Sequence, residues 1–181
     1  WNPLFEYNSE REFLTFANTG QKIAYAASIG LSELPSEYFE KYRNLLCDFA
    51  NISVREKEAA DIVYKLINRN VPVVLDPVFL LDQKEWCKLS KKSKAQIHKP
   101  YIFKYFLGKV DDEVEEYIQS ISKRNKLKIV DIMGMFTTNG PIEFISLIKN
   151  ASLVVTNSFH CTAFSIIFER EFLTFNRQKT K

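Results

Sequence analysis

The sequence predicts an α/β protein of two lobes, each built on a parallel sheet. Three observations predict it. Short apolar runs recur along the chain, separated by amphipathic segments of about 10–15 residues, the spacing of strand–helix–strand units. One run, "VPVVLDP", is apolar throughout rather than alternating, as strands buried on both faces are. The pattern is interrupted by a lysine-rich stretch, Lys88 to Pro100, and then restarts.

The elements follow in order. "KIAYAASIG" (22–30) reads as a buried strand stopped by a glycine turn. Tyr38, Phe39, Tyr42, Leu45, Leu46 and Phe49 then fall at helical spacing. "ISVRE" (52–56) is a short strand, and Glu56–Arg69 places Ala59, Ala60, Val63, Leu66 and Ile67 on one helical face. "VPVVLDP" (71–77) reads as a continuous apolar strand stopped by Asp76-Pro77. Beyond the lysines, "YIFKYFLG" (101–108) is a strand and Asp111–Arg124 a helix with Val114, Tyr117, Ile118 and Ile121 inward. "LKIVDIM" (127–133) is a strand. "NGPIEFISLIKNA" (139–151) is a helix with Pro141 near its first turn, where the missing N–H costs nothing. "SLVVTNS", "FHCTAFSIIFE" and "FLTF" complete the chain as strand, helix and strand. The expected division is a first lobe over 1–90, a linker over 91–99 and a second lobe over 100–181.

Composition narrows the function classes. The apolar fraction of 46% supports a sizeable core in a chain of 181 residues. A net charge of +3 makes no electrostatic case for nucleic acid. Cys47, Cys87 and Cys161 are scattered, and with two histidines they form no metal-ligand spacing, so no metal is expected. That cysteine usage fits a reduced, cytoplasmic protein. No apolar run approaches the roughly 18 residues that span a bilayer, and no signal-peptide pattern is present. The chain opens on Trp1 without an initiator methionine and reads as a fragment or a processed product.

The residues that could carry chemistry sit at strand ends. In open parallel sheets, ligands gather outside the carboxyl ends of strands, against the N-termini of the following helices. Asn157 and Ser158 are good N-cap residues, and His160 falls in the first turn of its helix, beside a ready anion site. An imidazole there suits proton transfer, or it caps and packs locally; spacing alone leaves both open. Arg55 ends a strand in the first lobe, where it forks onto an anion or pairs with Glu56 or Glu58. Asp76, at another strand end, orients a ligand hydroxyl, acts as a base or caps the turn that follows. Gly140 and Glu143, with Thr137, Thr138 and Asn139 before them, are expected to border the cleft. Cys161 reads as packing rather than as a nucleophile. The chain lacks Gly-x-Gly-x-x-Gly, a phosphate loop and a Gly-x-Ser-x-Gly elbow.

"KIAYAASIG", "ISVRE", "VLDPVFLL" followed by Trp86, "YIFKYFLG", "GPIEFISLIKNA" and "VVTNSFHCTAFSIIF" occur in the order seen in the polysaccharide pyruvyl transferase family, which the chain resembles over nearly its whole length. The opening "WNP" is similar to the end of that family's Gly-Ser-Asp-Gln-x-Trp-Asn segment. The resemblance implies two Rossmann-like lobes in a GT-B-like arrangement, the first lobe incomplete. It implies transfer of an enolpyruvyl group from phosphoenolpyruvate to a sugar or glycan acceptor, lipid-linked acceptors included, giving a pyruvate ketal in surface or exopolysaccharide synthesis. By resemblance His160 is the acid/base and Arg55 binds the donor, with Asn157, Ser158 and Thr162 around its anionic groups. Phosphoenolpyruvate is the donor substrate, and no cofactor is expected. The expected location is the cytoplasm, or the inner face of the membrane as a peripheral protein. Ser158 stands where many relatives carry an arginine, and Cys161 where a glycine often follows the histidine. Two other functions share these features: a GT-B glycosyltransferase using a nucleotide sugar, with Glu143 on the ribose, and a non-catalytic lobe that binds glycan or protein.

Overall fold

The computed structural model describes residues 1–4, 9–95, 97–135 and 140–176. They form two compact units, Trp1–Pro77 and Val78–Lys181, each with its own core. Both are α/β with parallel pairing, consistent with a Rossmann-like fold.

In the first unit a short helix α1 (Ser9–Glu12) precedes β1 (Lys22–Ala27). A 3-10 turn then leads into α2 (Phe39–Cys47), followed by β2 (Phe49–Val54) and α3 (Lys57–Ile67). β1 and β2 pair in parallel, with a register shift near the end of β1. Ala26 lies at φ +54 in that irregularity. The Ser53 hydroxyl accepts from its N–H (2.9 Å), replacing the ladder bond that the shift removes. α3 closes on Asn68 in the left-handed region, a conformation asparagine tolerates. The core holds Leu46, Val54 and Val63 with an aromatic group in which Trp1 stacks on Phe13 at 4.8 Å.

The segment "VPVVLDP" is not the buried strand the sequence suggests. A single parallel bridge joins Val73 to Val54, with Val74 N donating to Val54 O (2.8 Å), while Val73 and Leu75 are largely exposed. Pro72 and Pro77 lack the N–H groups a longer ladder requires, which confines such a segment to an edge.

A 3-10 turn (Pro77–Leu80) spans the boundary and leads into α4 (Gln83–Ser90), whose N-cap Asp82 accepts from Glu85 N at 2.9 Å. β3 (Tyr101–Tyr105), α5 (Asp112–Asn125), β4 (Lys128–Asp131), a 3-10 turn (Ile132–Met135), α6 (Pro141–Asn150), β5 (Leu153–Thr156), α7 (Phe159–Ile167) and β6 (Phe172–Thr174) follow. The strand order is β4-β3-β5-β6, all parallel. Alternation along the strands fills both faces. Ile102 and Val155 pack with Ile118 and Ile121 of α5, while Tyr101, Phe103 and Val154 pack with α6 and α7. The chain runs from β3 outward to β4 and returns past β3 to β5, so the topological switch point lies between β3 and β5.

The division between units falls earlier than the expected end of the first lobe at residue 90. Trp86 explains it: its ring meets Phe164 edge-on at 4.9 Å, and its Nε1 donates to Val78 O at 2.9 Å. Lys149 Nζ donates to Ser90 Oγ at 3.3 Å. These contacts tie α4 to the second unit.

Candidate active site

The polar framework of the second unit's site is built at the carboxyl ends of β3 and β5. Thr156, fully buried, donates through Oγ1 to Tyr105 O (2.6 Å) and accepts from Ser158 N (3.0 Å). One hydroxyl thus continues the β3–β5 pairing and turns the chain toward α7. Asn157 continues it one step further: its Oδ1 accepts from Leu107 N (2.7 Å) and its Nδ2 donates to Leu107 O (3.1 Å). Ser158 caps α7, with Oγ accepting from Cys161 N at 3.5 Å, and Thr162 Oγ1 donates back to Ser158 O at 3.1 Å. Asn157, Ser158 and Thr162 are brought together here, and their side chains hold the strand-to-helix turn in shape.

His160 stands exposed on that turn, its ring centroid 5.4 Å from that of Phe159. With Ser158, Tyr105, Leu107, Ile132, Pro141 and Phe144 it lines a pocket of about 410 Å³ that also includes Gly140. The pocket lies at the switch point, where an open parallel sheet places its ligands. Two helices start there. α6 carries a carboxylate on its own N-terminus: Glu143 Oε2 accepts from Gly140 N (3.0 Å) and Oε1 from Lys94 N (3.4 Å). Backbone N–H donors, its own first, hold the Glu143 carboxyl below its usual range. α7 has no acidic residue in its first turn, so its positive dipole end meets the pocket without an internal anion. Tyr105 and Phe144 form an aromatic wall, centroids 5.2 Å apart. Burial, and secondarily the neighbouring Cys161, push the Tyr105 phenol up. Cys161 is fully buried, and desolvation pushes its thiol up to about 12, so it packs and stays protonated.

In the first unit the structure joins two residues that the sequence treats separately. Arg55, at the end of β2, forms an ion pair through its Nη1 with the buried carboxylate of Asp76. Its Nε lies 4.0 Å from Glu56 Oε1, the partner suggested by sequence. At the same end of the sheet, Gly30 takes φ +66, and a Cβ on it would approach Asn2 Nδ2 to 3.3 Å, so "WNP" lies against the turn after β1.

Thr137, Thr138 and Asn139 lie outside the described residues. Among the described residues no cluster of three or more His, Cys, Asp or Glu side chains could hold a metal, and no helix is long and apolar enough to cross a membrane. Sequence reasoning missed the pocket's walls: Tyr105, Leu107, Ile132 and Phe144. The carboxyl end of "YIFKYFLG" carried the available signal, because ligand sites follow strand ends.

Searches among curated proteins and among solved structures return no match to this chain. A sequence model of the family described as polysaccharide pyruvyl transferase matches residues 2–179. That match runs through both units, the Arg55–Asp76 pair and the His160 turn included, and the chain belongs to the polysaccharide pyruvyl transferase family.

Proposed function

We propose that this protein moves an enolpyruvyl group from phosphoenolpyruvate to a sugar and closes it as a pyruvate ketal across two hydroxyls of a surface polysaccharide or its lipid-linked precursor. The observation that carries this reading is the pocket at the β3–β5 switch point, where His160 meets the acid-free N-terminus of α7 in a member of a pyruvyl transferase family. Phosphoenolpyruvate must gain a proton at its methylene carbon while a sugar hydroxyl attacks C2. In this reading His160 gives that proton. A second hydroxyl of the sugar then displaces phosphate from C2 and closes the ketal. The first turn of α7, shaped by Asn157, Ser158 and Thr162, receives an anionic group of the donor. The Tyr105–Phe144 wall lies against its apolar edge or against the sugar ring.

Arg55 contributes a fork suited to carboxylate or phosphate, and Asp76 fixes where that fork points. A GT-B-like pairing of the two units and a cytoplasmic site of action belong to the same reading. Glu143 is engaged with Gly140 and Lys94, which argues against its holding the ribose of a nucleotide sugar.

Calorimetric titration of phosphoenolpyruvate, with a nucleotide sugar in parallel, tests the reading. Phosphoenolpyruvate is expected to bind and the nucleotide sugar not. Arg55→Lys, which keeps the charge but loses the fork, should weaken phosphoenolpyruvate at least about tenfold, the effect of losing one charged hydrogen bond. Nucleotide-sugar binding with no phosphoenolpyruvate heat would replace this reading with a glycosyltransferase; binding of neither would favour a non-catalytic lobe.

A further inference from the structure

The whole chain carries a net charge of +3, yet residues 80–94 hold Lys84, Lys88, Lys91, Lys92 and Lys94 against two acids, Asp82 and Glu85, the latter paired with Lys88. The positive charge is concentrated there, and all five lysines are exposed. α4 fixes how they are presented. Trp86, Cys87 and Ser90 face inward, Trp86 on Phe164 and Ser90 on Lys149. Lys84, Lys88 and Lys91 recur at i, i+4 and i+7 and so share another side of the helix. Immediately before the N-cap Asp82, Leu80 is 68% exposed and Leu81 42%. Two exposed leucines thus lead into a basic stripe on an anchored helix.

We infer that Leu80, Leu81 and the lysines of α4 and its following turn dock the second unit onto an anionic lipid surface. Clusters of four to eight basic residues beside apolar side chains combine the two attractions such a surface offers, headgroup charge and an apolar boundary. The composition separates this partner from nucleic acid. The stretch has no arginine to fork onto phosphates, and its one aromatic, Trp86, is packed inward rather than offered for base stacking. The inference stands independently of the pyruvyl transfer chemistry.

Vesicle flotation of the full chain tests it, with phosphatidylcholine vesicles against equimolar phosphatidylcholine and phosphatidylglycerol. The protein should float with the anionic vesicles only, and less as salt rises. Lys91→Gln with Lys92→Gln should lower partitioning about 25-fold, at about fivefold per lysine. Leu80→Ser with Leu81→Ser should lower it at least about tenfold. Lys123→Gln with Lys126→Gln, exposed at the C-terminal end of α5, should leave it unchanged. Equal binding to neutral vesicles, no binding to anionic ones, an equal loss in the Lys123/Lys126 control, or tighter binding of a single-stranded oligonucleotide at the same salt would each overturn the inference.

Discussion

Asn157 clamps both backbone polar groups of Leu107: Oδ1 accepts from the N–H at 2.7 Å, and Nδ2 donates to the carbonyl at 3.1 Å. β3 and β5 end as backbone ladders at Tyr105 and Thr156, and the clamp extends their pairing by one side chain. It holds one wall of the pocket against the turn that carries His160. Asn157→Ala removes both bonds and should cost about 1–3 kcal/mol, the range for stranding partly buried polar groups. Chemical denaturation measures it. Asn157→Asp keeps the acceptor but loses the donor, and should fall between wild type and alanine.

The Arg55–Asp76 pair should respond unevenly to its two deletions. The Asp76 side chain is 2% exposed and that of Arg55 25%. Arg55→Met strands a carboxylate with little access to water and should destabilise by about 3–5 kcal/mol. Asp76→Asn leaves a guanidinium that can turn toward solvent and should cost less. Urea unfolding of the two variants checks the order, and the reverse order would contradict the burial that defines the pair.

Cys161 should be inert in the folded protein. At pH 8 a thiol-specific reagent should label the exposed Cys47 promptly and Cys161 only on unfolding, read by peptide mass spectrometry. Cys161→Ala should preserve phosphoenolpyruvate binding.

Alkaline pH should weaken the fold through buried phenols. Burial pushes Tyr101 up to about 12, and its hydroxyl donates to Leu147 O at 2.7 Å. Burial, followed by Glu12 and Tyr38, pushes Tyr42 up to about 12 as well. Above pH 10 the unfolded chain has lost these protons while the native protein keeps them, so stability falls as pH rises from about 10 through 12. Tyr101→Phe should flatten that fall while costing about 1 kcal/mol at neutral pH for the lost hydrogen bond.

Much of this architecture was legible in the sequence. The second unit follows it closely: "YIFKYFLG" and "SLVVTNS" are apolar enough to mark strands buried on both faces, and Pro141 and Ser158 mark helix starts. "VPVVLDP" misled because apolar composition suggests burial, whereas an edge segment with two prolines keeps only one bridge. The place of α4 was not legible, because Trp86 attaches it to the second unit through a contact distant in sequence. His160 and its turn were found by a local rule, helix start after strand end. The partnership of Arg55 with Asp76 and the aromatic wall of Tyr105 and Phe144 depend on which strands become neighbours, and that is settled by packing.

The most direct test of the central claim is phosphate release from phosphoenolpyruvate in the presence of a panel of sugar acceptors, comparing wild type with His160→Asn. The account predicts acceptor-dependent release by wild type and a rate at least about 100-fold lower in the variant, the usual scale of a lost general acid, with phosphoenolpyruvate binding retained. A His160→Asn protein that releases phosphate and forms ketal at the wild-type rate would contradict it.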